Sequence, residues 1–124
     1  MKEQNNKNIL WSLDLAITVS ECDLSKFEES ELKQLAQNLT LKIDPKSEII
    51  GIVTPFGEHK KEMKGLRLIH ENQNSLITGH FVFETKKAYV NIHSCSPYKP
   101  SEAMSIVANF FNSDVFICQK IFRE

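Results

Sequence analysis

The chain has 124 residues, of which 41% are hydrophobic and 25% charged, and a formal net charge of -1. That is enough chain for one buried core, and the composition is that of a globular protein. The balanced charge excludes the basic field that nucleic-acid binding needs, and no run reaches the ~20 apolar residues of a membrane span.

Three cysteines, Cys22, Cys95 and Cys118, are widely spaced with no CxxC pair, which argues against a disulfide scaffold or a zinc knuckle. Residues 1–8 are polar and read as a disordered N-terminus, ahead of a single domain over residues 9–124. The basic start of a signal peptide is missing, so a cytoplasmic location is expected.

From Ile9 to Cys22, Leu13, Leu15, Ile17 and Val19 share one parity, while Asp14, Thr18 and Ser20 share the other. A period of two predicts a long strand with one buried face. Ser25 to Glu28 fits a capping box, and Leu32, Leu35, Ala36 and Leu39 recur at helical spacing. The predicted helix ends before Asp44-Pro45, with Thr40 to Ile43 open to an extended conformation. Ser47 to Pro55 is β-branched and reads as a second strand, Phe56 to Glu62 as a charged loop, and Gly65 to His70 as a third strand.

Ser75 to Phe83 and Ala88 to Cys95 predict an antiparallel pair joined by Glu84 to Lys87. Pro100 suits the first turn of a second helix with Ala103, Met104, Ile106, Val107, Phe110 and Phe111 on its buried side. Val115 to Phe122 is apolar on both parities until Gln119 and predicts a final strand, central or covered. The order β-α-β-β-β-β-α-β predicts an α+β fold, a two-layer sandwich with both helices on one face of an antiparallel sheet.

Chemistry concentrates in the strand pair. Ser75, His80, Glu84 and Cys95 bring together a hydroxyl, an imidazole, a carboxylate and a thiol. Alternation puts Ser75 on one face of its strand and His80 and Glu84 on the other, so gathering all three requires a bend at Gly79 or Ser75. Taken singly, each has an ordinary structural reading: a turn hydroxyl, a hydrogen-bonded histidine, a small buried thiol. Cys22 and Cys118 read as core, His93 shares the parity of Cys95, and neither His59 nor His70 has metal-ligand spacing.

The spacing of Ser75, His80 five residues on, Glu84 four further and Cys95 eleven further resembles the core of the small prokaryotic S-adenosylmethionine decarboxylases. Glu21-Cys22-Asp23 after the first strand, and Ala88 to Cys95, extend the resemblance over most of the chain as that of a divergent branch. The resemblance implies a pyruvoyl enzyme of polyamine biosynthesis that makes its own cofactor. The Ser75 hydroxyl would attack the Asn74 carbonyl to give an ester. Elimination would then free residues 1–74 and leave a pyruvoyl group heading residues 75–124.

On this resemblance His80 takes the proton during elimination and Cys95 returns one after carbon dioxide leaves. Glu84 binds the ribose hydroxyls of S-adenosylmethionine or a related small molecule, Phe56 stacks on adenine, and the protein is a homodimer. No metal is implied. The chain departs from the family pattern at Asn74, where glutamate is usual, at Leu76, where histidine is typical, and at Arg67, where a serine falls. Thr54 is the sole hydroxyl between Ser47 and Ser75. Two alternatives stay open: a relative that binds a nucleoside, an amine or a partner subunit without cleaving itself, and a pyruvoyl decarboxylase of another amino acid.

Overall fold

The computed structural model describes residues 12–45 and 51–124. The expected disordered N-terminus, the start of the first strand and Ser47 to Ile50 lie outside the described residues.

Six strands form one sheet: β1 (Ser12–Val19), β2 (Gly51–Phe56), β3 (Gly65–Glu71), β4 (Ser75–Val82), β5 (Lys87–Ser94) and β6 (Phe116–Arg123). Their order is β2-β3-β4-β5-β1-β6, and every neighbouring pair is antiparallel. The helices α1 (Glu29–Ile43) and α2 (Pro100–Phe110) pack on one face. The architecture is therefore the two-layer α+β sandwich that the element order predicts.

Period-two patterning decides which face is covered. Leu13, Leu15, Ile17 and Val19 of β1 are buried, as are Ile77 and Phe81 of β4 and Ala88, Val90 and Ile92 of β5. The helices supply Leu32, Leu35, Leu39, Ala103 and Val107 against them. Phe27, Phe81 and Phe111 meet where the two layers join, with ring centroids 5.7 to 5.8 Å apart. Burying each such ring contributes about 1.5–3 kcal/mol. Among the described residues no helix is long and apolar enough to cross a membrane.

Three local expectations are corrected. Ser25 does not cap α1: its N–H and hydroxyl both donate to Asp23 Oδ1, within a short 3-10 turn at Leu24–Lys26. The helix begins only at Glu29, after a cap residue, Glu28, whose side chain makes no capping bond. Thr40 to Ile43 are helical, because Leu39, Thr40 and Ile43 are buried against the sheet and the Thr40 hydroxyl donates to the Ala36 carbonyl. Finally, among the described residues β6 is an edge strand paired only with β1, and Ile117, Ile121 and Phe122 are exposed, so nothing described covers its apolar residues.

Candidate active site

The turn between β3 and β4, residues 72–74, is closed by the Asn72 N–H donating to the Ser75 carbonyl at 2.8 Å. The Asn74–Ser75 peptide bond sits at the exit of this loop, where β4 begins. Ser75 faces the helices and is buried, and its Oγ accepts from Asn72 Nδ2 at 2.8 Å. The Asn74 N–H donates to Asp44 Oδ2 at 2.9 Å. On the other side of the same residue, the Asn74 carbonyl accepts from the Cys95 N–H at 2.9 Å. Ser75 lies opposite Ser94 in the register, so Cys95 is brought to the Asn74–Ser75 bond by simple continuation of β5.

Cys95 is the exposed member of three free cysteines. Burial pushes the Cys22 thiol up to about 11 and also raises that of Cys118, so both keep their protons. A cleft of about 160 Å3 beside Cys95 is lined by Ser12, Ser94, Tyr98 and Phe122. The Ser12 hydroxyl is buried there with no hydrogen-bond partner among the described residues.

A second group of residues stands at the opposite end of β4. His80 is half-buried on the open face, opposite Arg67 on one side and Tyr89 on the other. Phe56 stacks on the His80 ring with centroids 4.5 Å apart and planes tilted by 30°. The Arg67 guanidinium lies 5.1 Å from the centre of the Phe56 ring, within cation–π range. Burial first, and the Arg67 charge second, lower the His80 pKa. The imidazole is thereby biased to its neutral, proton-accepting form. Glu84 lies at the same end, exposed in the turn between β4 and β5. Thr54 pairs with Arg67 across β2 and β3, which sets a hydroxyl next to that guanidinium.

The site residues therefore fall into two clusters, Ser75 with Cys95 and His80 with Phe56, Arg67 and Glu84. Five residues of regular strand separate Ser75 from His80, about 17 Å at ~3.4 Å per residue. The strand pairs continuously on both edges through Gly79, so no bend gathers them within one chain.

Between the clusters the open face carries a cleft of about 320 Å3 lined by Asp14, Leu76, Thr78, Asn91, His93 and Ile121, among others. Asp14 bridges three strands: Arg123 Nε donates to its Oδ2 at 2.6 Å, and His93 Nδ1 is hydrogen-bonded to its Oδ1. Burial pushes the Asp14 carboxyl up, but these two bonds outweigh it and hold the group below its usual range. Sequence reasoning missed Asp14, Asp44 and Asn72. Each acts through residues thirty or more positions away in the sequence, or across a turn, and no local spacing marks such contacts.

Comparison with known proteins shows which family this fold belongs to. The S-adenosylmethionine decarboxylase family matches residues 15–124, and the chain belongs to that family. The crystal structure of the adenosylmethionine decarboxylase from Aquifex aeolicus superposes with a TM-score of 0.72 at 18% identity. The match covers 92% of this chain and 91% of that one. No curated protein matches the sequence significantly.

Proposed function

We propose that this chain is a pyruvoyl-dependent decarboxylase of S-adenosylmethionine, cleaving itself between Asn74 and Ser75 and working as a homodimer in polyamine biosynthesis. The observation that carries this is the Asn74 carbonyl, held 2.9 Å from the Cys95 N–H. When Ser75 attacks that carbonyl, negative charge gathers on its oxygen, and a fixed N–H donor stabilises it. The same residue carries an exposed thiol.

A pyruvoyl group at residue 75 supplies an electron-withdrawing carbonyl that takes up the electrons left when carbon dioxide departs. The surroundings fit its formation. Residue 75 heads β4, and pairing with β3 and β5 holds that strand in place on both edges after the chain is cut. His80 accepts the proton that residue 75 loses in elimination. Cys95 later returns a proton to the substrate carbon. Glu84 binds the ribose hydroxyls and Phe56 the adenine ring.

Separation of the two clusters supports the homodimer. Two open faces stacked about a twofold axis would bring the Ser75–Cys95 end of one copy against the His80 end of the other. Each site then draws on both chains. The open face suits such burial: Ile52, Ile69, Leu76, Tyr89, Ile117 and Ile121 are all exposed on it.

One observation favours a second reading, a relative that binds a nucleoside or amine ligand without cleaving itself. The Ser75 hydroxyl faces the helices, and His80 of the same chain faces the other way. Release of carbon dioxide from carboxyl-labelled S-adenosylmethionine tests the choice. Release by the wild type and none by Cys95→Ala is expected. Release from labelled ornithine or arginine instead would move the substrate, and no release from any of them would favour the second reading.

A further inference from the structure

Three polar side chains outside the Ser75–His80–Glu84–Cys95 pattern converge on the Asn74–Ser75 bond from the helix side. Asn72 is buried, and its amide donates to Ser75 Oγ. The other end of that amide faces Thr40, whose hydroxyl lies 3.4 Å from Asn72 Oδ1. Thr40 is held in turn by its bond to the Ala36 carbonyl on α1. Thr40 thus stands at the Oδ1 end of the amide, and the NH2 end is the one at Ser75. Asp44, buried at the C-terminal end of α1, accepts the Asn74 N–H. Together with the Cys95 N–H on the Asn74 carbonyl, these bonds fix Oγ, the carbonyl and the preceding peptide group at once.

We propose that Asn72 and Asp44 are positioning residues for self-cleavage, a role that rests on the self-cleavage reading above. In the acyl shift, Ser75 Oγ forms a bond to the Asn74 carbonyl carbon and the bond from that carbon to the Ser75 nitrogen breaks. Oγ loses its proton and the nitrogen gains one, leaving an ester and a free amine. Elimination then takes the Cα proton of residue 75 and breaks the Cβ–Oγ bond. This releases Asn74 as a carboxylate and leaves dehydroalanine, which takes up water and loses ammonia.

Asn72 acts on the shift alone. It holds Oγ in one rotamer, and its donated bond strengthens as Oγ gives up its proton and gains negative charge. Asp44 holds the preceding Gln73–Asn74 peptide group, and through it the residue whose carbonyl is attacked.

Hydroxylamine cuts an oxygen ester but leaves amides intact, so hydroxylamine-dependent cleavage reads the shift apart from the elimination. Denaturing mass spectra over time, with and without hydroxylamine, are compared for wild type, Asn72→Leu, Asp44→Leu, Asp44→Asn and Thr40→Val. Circular dichroism shows which variants are folded. Asn72→Leu and Asp44→Leu are expected to slow the hydroxylamine-dependent cut about tenfold or more. Asp44→Asn, which keeps an oxygen for the Asn74 N–H, restores most of the loss. Thr40→Val frees the Asn72 amide without touching Ser75 and slows the cut several-fold, which keeps the test decisive if Asn72→Leu does not fold.

Folded Asn72→Leu or Thr40→Val cutting at the wild-type rate would overturn the role of Asn72. Asp44→Asn losing as much as Asp44→Leu would overturn that of Asp44. A wild type that stays intact in hydroxylamine overturns the self-cleavage reading itself, and both positioning roles with it.

Discussion

At His80 two neighbours set the chemistry of one imidazole. Burial strips water from the ring and Arg67 adds a positive charge beside it, and both lower its pKa. Removing the charge while keeping the aliphatic stem, as in Arg67→Met, should raise the midpoint of the His80 titration followed by NMR. A midpoint that stayed or fell would show that the guanidinium does not act on the ring. Because the folded-state pKa is depressed, stability from this site is present above the unfolded value and is lost as pH falls through the folded one. Arg67→Met therefore also softens the loss of stability on acidification. In the proposed reaction Cys95 acts later, and Cys95→Ala should abolish turnover while self-cleavage persists, since alanine keeps the backbone N–H on the Asn74 carbonyl. Full turnover in that variant would remove the proposed proton donor.

Among the elements, α1 does two jobs. Its buried stripe of Leu32, Leu35, Ala36, Leu39 and Ile43 fills the space over the sheet, and its last turn carries Thr40 and Asp44 to the Asn74–Ser75 bond. Leu35→Ala should cost about 2–5 kcal/mol in urea denaturation, and a loss under 1 kcal/mol would contradict its place in the core. The stripe was legible in the sequence, as were the alternation in β1 and the proline that opens α2, because each is a short-range period with a physical cause. The start of α1 was not, since Ser25 fits a capping box but is taken by Asp23 within a turn. Nor was the exposure of β6, because a strand apolar on both parities reads the same whether its cover comes from this chain or another. Ser75, His80, Glu84 and Cys95 stood out by a spacing that resembles the family's, but their division between two ends of the sheet was not legible there. Parity places Ser75 and His80 on opposite faces, but only the unbroken register through Gly79 excludes the bend that would reunite them.

For the whole molecule, the proposed homodimer ties that division to function. If each site draws on two chains, Cys95→Ala and His80→Ala damage different halves of it. Co-expressed, the two inactive variants should regain activity through mixed dimers that contain one complete site, and mixtures as inactive as either parent would contradict the shared site. Ahead of any assay stands the intact mass of the purified protein under denaturing conditions. Self-cleavage predicts two fragments, residues 1–74 and residues 75–124, with the second blocked at its start by a pyruvoyl group. A single chain of full mass that persists through long incubation would contradict it, and would make Ser75 an ordinary strand residue.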